Sequence, residues 1–364
     1  MKKIALIGST GSIGKQVIEV VKRYPDEFEI SALVASRNEK TFLEQVEELK
    51  PKYSALASKD KQKALDAACL PDADIVFNAA GGFEGLEYSL TALNAGKPLA
   101  LANKETLVCG GDIVMPYTQR GGLILPVDSE HSAIWQCLHF NNYAPLRRLI
   151  ITASGGAFRD MPAESLSTVT PQQALAHPTW KMGAKITVDS ATLMNKGYEV
   201  IEAHMLYGTP YSKIDTVIQP QSIVHSLVEF TDGSTLAQMS YPTMEVPIQL
   251  ALSYPQRLKE AVTPMDYTKP FSLDFKPLDK NKYPCFKLAL ACGEQGGIMP
   301  CVLNAADEIA VKAFLNGKIA FTDIYRVVDG VVSAFSAQGV KSFEQLRETD
   351  AAARLRAQNI IDRL

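Results

Sequence analysis

The chain lacks any apolar run near the ~18 residues that a membrane-spanning helix needs. Its first apolar run, Ile4–Ile7, ends at Gly8, too soon for a secretion signal, so a cytoplasmic protein is expected. Neither sign of charge is in excess. A net charge of −3 gives no electrostatic reason for nucleic acid or an anionic membrane as partner. Cysteine is scarce: the six thiols (69, 109, 137, 285, 292 and 301) show no Cys-x-x-Cys and no histidine at zinc-finger spacing. They are expected to be reduced core thiols. Internal repeats and low-complexity tracts are also lacking. What is present, 46% apolar and 21% charged residues over a length of 364, suits a globular protein of two or three domains.

Within 1–127, short apolar runs alternate with helical periodicity. Ile4–Ile7, Ile30–Ala35, Ile75–Asn78, Leu99–Leu101 and Leu123–Pro126 have the length of strands buried in a parallel sheet. Gln16–Arg23, Lys40–Leu49 and Gly85–Ala95 read as the helices between them, so an α/β, doubly wound domain is expected. Residues 128–253 are mixed α+β. Leu149–Thr152, Lys185–Val188 and Thr216–Ile218 read as strands, and Val224–Phe230 and Thr235–Tyr241 as a hairpin around Asp232-Gly233. Residues 254–280, rich in Pro, Lys and Asp, read as a linker. From there 281–364 reads as an all-α domain broken at Gly297, Gly317 and Gly339.

Chemistry enters at Gly8-Ser-Thr-Gly-Ser-Ile-Gly14, between a strand and an amphipathic helix. Glycines there let backbone N–H groups approach a pyrophosphate at a helix N-terminus; the plainer alternative is a tight turn. An NAD site wants a carboxylate at the end of the second strand. Here that end reads Ala35-Ser-Arg-Asn38, which suits the 2′-phosphate of NADP, unless Arg37 is merely solvated. Asp128-Ser-Glu130, taken as an extended segment, would aim two carboxylates at one hard cation; the alternative is a solvated acidic turn. Asp189 or Ser190 can cap a helix on which Asn195, Lys196 and Glu199 share a face, either as ligands for phosphate and cation or as a surface ion pair. The loop His177-Pro-Thr-Trp-Lys-Met-Gly183 holds one of only two tryptophans. Such a loop either packs down permanently or closes over a ligand and excludes water.

These motifs, with Ala102-Asn-Lys-Glu-Thr106, Pro126-Val-Asp-Ser-Glu-His131, Ala153-Ser-Gly-Gly156, Gln221-Ser-Ile-Val-His225 and Leu303-Asn-Ala-Ala306, run the whole chain in order. Together they resemble the 1-deoxy-D-xylulose 5-phosphate reductoisomerase family. The resemblance implies a Rossmann-like NADP-binding domain, a central catalytic domain and a helical C-terminal domain. It implies NADPH held by Gly8, Thr10, Gly11, Ser12 and Ile13 at the pyrophosphate, and by Ser36, Arg37 and Asn38 at the adenosine end. The family often has Gly-Lys-Asn at that end; Ser36 and Arg37 differ in type but keep the positive charge. Asn103, Glu105 and Gly183 would lie near the nicotinamide. Asp128, Glu130 and Glu199 would bind Mg²⁺ or Mn²⁺, with Co²⁺ a further candidate. Ser154, Ser190, Asn195 and Lys196 would hold the phosphate of a small phosphorylated sugar. Lys104, Ser129, Glu130, His177, Trp180 and Glu199 would act on or near its carbon backbone. His225 matches a position of interest without a derived role. A homodimer in a bacterial cytoplasm is further implied.

Two other readings compete. A semialdehyde dehydrogenase would need a nucleophilic cysteine, for which Cys109 and Cys137 have no suitable setting, and a homoserine-type dehydrogenase leaves the lid and the acidic pair without purpose. A non-enzymatic NADP sensor would tolerate loss of the metal ligands, yet all three carboxylates are present.

Overall fold

The computed structural model describes residues 1–138, 145–259 and 261–364. Two compact units emerge: 1–106 with 114–132 and 243–264, and 107–113 with 133–242 and 265–364. In order, the first part of the chain gives β1 (Lys2–Ile7), α1 (Ser12–Arg23), β2 (Phe28–Ala35), α2 (Glu39–Leu49), β3 (Tyr53–Leu56), α3 (Lys61–Asp66), β4 (Ile75–Asn78), α4 (Gly85–Asn94), β5 (Leu99–Leu101), α5 (Glu105–Gln119), β6 (Ile124–Pro126) and α6 (Ser129–Leu138). Then follow β7 (Leu146–Ala153), α7 (Pro171–Ala174), α8 (Ala184–Thr192), α9 (Met194–Tyr207), β8 (Ile214–Ile218), β9 (Val224–Phe230), β10 (Thr235–Met239), α10 (Glu245–Ser253) and β11 (Lys276–Pro277). Helices α11 (Pro284–Gln295), α12 (Met299–Leu315), α13 (Asp323–Val332) and α14 (Phe343–Ile361) complete it.

In the first unit six parallel strands run β3-β2-β1-β4-β5-β6. That order reverses between β1 and β4, which opens a crevice at their carboxyl ends where such sheets bind ligands. Ile4, Leu6 and Ile7 of β1 are fully buried, each side chain contributing about 1.5–3 kcal/mol of transfer free energy. Asn78 closes β4 and is buried without being apolar. Its Nδ2 donates to Gly85 O at 2.8 Å and to Ser89 Oγ at 2.7 Å, and its backbone carbonyl accepts from Ala102 and Asn103. Residues 243–264 contribute α10, nearly all of which is buried, and it packs on α1.

The second unit is built on a mixed sheet, β10-β9-β7-β8-β11. Strands β7 and β8 pair in parallel, whereas β9 pairs antiparallel with both β7 and β10. Leu149 and Ile151 of β7 and Val228 of β9 form a core with Val200 and Ala203 of α9 and Phe286 of α11. The hairpin stands as expected, with β10 on the sheet edge. Leu236 there is 40% exposed, while Val224 of β9 is buried. Gly297, Gly317 and Gly339 each fall between helices.

One expected strand is a helix. Lys185–Val188 lies in α8, and Asp189 and Ser190 sit inside that helix rather than capping one. Every residue from Thr187 to Thr192 is buried, so the segment has no polar face to reveal a helical period. Ile186, Thr187 and Val188, all β-branched, then favour the strand reading.

Candidate active site

In the first unit the Gly8–Gly14 loop follows β1 and packs against Ala79, just after β4. Gly8 has φ +84°, and a Cβ on it would stand 2.4 Å from Ala79 O; one on Gly14 would stand 2.3 Å from Gly8 O. Side chains are therefore excluded where the loop turns. Gly11 precedes α1 and supplies no side-chain cap, and Gly11 and Ser12 are exposed. The first N–H groups of α1 thus receive no capping side chain and can meet an anion. Ser36, Arg37 and Asn38 are exposed beyond β2, and Asn38 also caps α2 by accepting from the Thr41 N–H.

The Asn103–Glu105 turn is fixed by Asn103, which is buried. Its Nδ2 donates to Ala80 O, Gly82 O and Glu105 Oε2 at 2.8–3.0 Å, and its Oδ1 accepts from Thr106. Lys104 pairs with Asp128 through Nζ. The His131 ring stands 3.6 Å from the same carboxylate. Burial alone would raise the Asp128 carboxyl, but the Lys104 ammonium and the His131 ring outweigh it and hold it well below the usual carboxylate range. Ser129 Oγ donates to Glu130 Oε2 at 2.6 Å. The segment is not extended as expected. Helix α6 begins at Ser129, and the Asp128 carbonyl accepts from the Ser132 N–H. Asp and Ser favour helix starts, and a first-turn glutamate is favoured by the helix dipole.

In the second unit β7 ends in Ser154-Gly155-Gly156. Both glycines have positive φ, and a Cβ on Gly156 would stand 2.4 Å from Ser190 O, so this turn lies against α8. Ser154 Oγ and His177 Nε2 are 2.9 Å apart. His177 Nδ1 accepts from the Thr179 and Trp180 N–H groups at 3.2 and 3.0 Å. Nε2 therefore carries the proton and donates. Burial, then the Arg159 guanidinium, lowers the His177 pKa to about 4, so the ring is neutral near pH 7. The Trp180 ring is half-buried, edge-on to His225 at 6.1 Å. Gly183 precedes α8 and is exposed.

Leu193, with φ +56°, breaks α8 from α9. Asn195 Nδ2 then donates to Glu199 Oε1 at 2.6 Å, and Lys196 pairs with the other Glu199 oxygen. Lys196 and Glu199 are 4% and 1% exposed, which rules out a surface ion pair.

Family models match along the chain: 1-deoxy-D-xylulose 5-phosphate reductoisomerase at 4–71 and 61–111, and its C-terminal domain at 124–207 and 239–356. The reductoisomerase of Crocosphaera subtropica is 47% identical, covering 97% of this chain and 95% of its own. That of Thermodesulfovibrio yellowstonii is 45% identical, covering 99% and 100%. The chain belongs to the 1-deoxy-D-xylulose 5-phosphate reductoisomerase family. Among solved structures, the Zymomonas mobilis reductoisomerase in complex with NADPH superposes with a TM-score of 0.90 at 37% identity, over all of both chains. A second reductoisomerase, in complex with NADPH, fosmidomycin and magnesium, gives 0.92 at 35% identity over 100% of this chain and 98% of that one.

For a reductoisomerase, the expected residues fall into local groups. Lys104 with Asp128, Ser129 with Glu130, and Asn103 with Glu105 are direct pairs in the first unit. Ser154 with His177, and Asn195 and Lys196 with Glu199, are direct pairs in the second. Sequence reasoning missed Asn78, whose signal was an asparagine ending an otherwise apolar strand. It also missed a buried cluster in which Lys185 Nζ meets Asp189 and Asp307 at 2.6 and 2.7 Å. Burial, then the facing Asp307 carboxylate, pushes the Asp189 carboxyl well above its ordinary range. Asp307 lies more than a hundred residues from Lys185, and no local pattern links them.

Proposed function

We propose specific roles for these residues in the reaction of the family. The protein is an NADPH- and divalent-cation-dependent enzyme. It rearranges and reduces 1-deoxy-D-xylulose 5-phosphate to 2-C-methyl-D-erythritol 4-phosphate, in the methylerythritol phosphate route to isoprenoid precursors. The observation that carries this is the full-length match to reductoisomerases.

The residues fit both groups the reaction requires. Gly8 and Gly14 let the loop fold against Ala79 O and Gly8 O, where a Cβ would clash, and Arg37 replaces the carboxylate that would repel a 2′-phosphate. Asp128, Glu130 and Glu199 offer only carboxylate oxygens, the donor set that magnesium and manganese prefer. When bound, NADPH supplies hydride and the cation supplies Lewis acidity. Residues 1–127 hold the nucleotide, with Thr10, Gly11, Ser12 and Ile13 at the pyrophosphate, Ser36, Arg37 and Asn38 at the adenosine end, and Asn103 and Glu105 toward the nicotinamide; Gly183, outside that stretch, is assigned to the nicotinamide as well. Asp128, Glu130 and Glu199 hold the cation.

Ser154, Ser190, Asn195 and Lys196 bind the substrate phosphate. Lys196, which pairs with Glu199, supplies the charge. Neutral His177 donates from Nε2 and positions the Ser154 hydroxyl. Lys104 and Ser129 orient the carbon backbone and its hydroxyls. Trp180 belongs to a lid that keeps water from the reacting fragments.

The protein acts as a homodimer: β10 is an edge strand with exposed Thr235, Leu236 and Ala237, and a partner would cover it. The relatives named above are bacterial, and the six cysteines are free thiols, which suits a bacterial cytoplasm. Loss of NADPH absorbance that needs both the deoxyxylulose phosphate and Mg²⁺ or Mn²⁺ tests the function. No loss with all components present contradicts it.

A further inference from the structure

Arg159 has no part in the roles assigned above, yet it lies beneath the Ser154-Gly155-Gly156 turn. Its Nη1 donates to Ser154 O at 3.0 Å and to Pro220 O at 3.2 Å, and its Nε donates to Asp160 at 2.9 Å. A Cβ on Gly155 would stand 2.8 Å from the Arg159 Cβ, so the arginine stem fills the space under the turn. Two further contacts extend the arrangement. Lys282, just before α11, donates from Nζ to Phe158 O at 2.8 Å and to Arg159 O at 2.7 Å. Ser222, two residues beyond Pro220, shares a hydrogen bond with Thr179 of the His177–Gly183 loop at 3.2 Å. One guanidinium therefore joins the end of β7 to the β8–β9 connection, and that connection also touches the lid segment.

We propose that Arg159 is a positioning residue for the substrate phosphate: by tying the Ser154 carbonyl to the Pro220 carbonyl it fixes the Ser154 hydroxyl and its His177 partner. The proposal rests on the assignment of Ser154 to the phosphate. Nε and Nη1 are both spent on protein oxygens, which is the pattern of a tie between segments. A planar guanidinium can serve both carbonyls and Asp160 at once. A lysine, a single point charge on a longer flexible stem, cannot. Lysine is nevertheless a good phosphate ligand, which separates the two roles by experiment.

The test compares Arg159→Ala, Arg159→Lys, Ser154→Ala and the Arg159→Lys/Ser154→Ala double variant. Each is measured for KM and kcat with the deoxyxylulose phosphate, for NADPH affinity and for thermal midpoint. Losing a fixed orientation should raise the substrate KM by about tenfold in both Arg159 variants, with NADPH affinity unchanged and kcat reduced much less. In the double variant the Arg159→Lys effect should largely vanish, because Arg159 acts through Ser154. A normal substrate KM in Arg159→Lys, or effects that multiply in the double variant, overturns the proposal. So does a joint loss of substrate and NADPH affinity, which would show general disruption. If Arg159→Ala does not fold, Arg159→Lys decides alone. An unchanged KM in Ser154→Ala overturns the phosphate assignment itself, and the proposal with it. A raised KM there beside unaffected Arg159 variants overturns the proposal only.

Discussion

His177 donates from Nε2 to the Ser154 hydroxyl at 2.9 Å, while its Nδ1 accepts from the backbone of its own loop. That arrangement needs a neutral ring. An unfolded histidine titrates near ~6.5. In the folded protein burial and Arg159 lower this to about 4. Between these values the unfolded chain binds more protons, so stability is full above the unfolded pKa and is lost as pH falls toward the folded one. His177→Gln should flatten the fall in thermal midpoint across that acid window. A slope identical to the parent's would contradict the neutral-ring account.

Arg37 lies exposed beyond β2, and its side chain makes no hydrogen bond or ion pair among the described residues. A charge-assisted contact to phosphate is worth roughly 1.5–3 kcal/mol. Arg37→Ala should thus weaken NADPH by on the order of tenfold to a hundredfold while leaving NADH nearly unchanged. Equal losses for both nucleotides would remove the 2′-phosphate from its assigned partner.

Trp180 is half-buried beside His225 rather than sunk in a core. Its fluorescence should change when the deoxyxylulose phosphate binds with metal present. Trp180→Ala should raise the substrate KM and leave the thermal midpoint within a few degrees. A collapse of the midpoint would show that the ring is structural packing.

Leu236 is exposed on edge strand β10. Leu236→Glu should shift the protein from dimer to monomer in light scattering at micromolar concentration. A parent protein that is already monomeric would end the dimer assignment.

The nucleotide half was legible because its strands are short, apolar and separated by turns: β4 and β5 stand where the pattern put them. Strand β3 was not, since Tyr53-Ser-Ala-Leu56 at the sheet edge is only half buried and has little apolar signal. Helix α8 was misread because its residues from Thr187 to Thr192 are all buried, which erases the period that identifies a helix. The grouping on α9 was legible despite that, because the spacing of Asn195, Lys196 and Glu199 is fixed by any helix and the three side chains do meet. Arg159 and Asp307 were not, since their partners are fixed by tertiary packing. Asp128 was identified for its chemistry and misassigned in its backbone, which is the N-terminal boundary of α6.

The central claim is that Glu199 holds the divalent cation on which turnover depends. Glu199→Gln keeps the shape and a hydrogen bond from Asn195 but removes the charge. Titrating Mg²⁺ and Mn²⁺ against NADPH oxidation in parent and variant, with NADPH binding measured separately, tests it most directly. The account predicts a loss of turnover of about a hundredfold or more, a much higher metal requirement and unchanged NADPH binding. A variant that follows the parent's metal curve at the parent's rate would show that Glu199 is not a ligand.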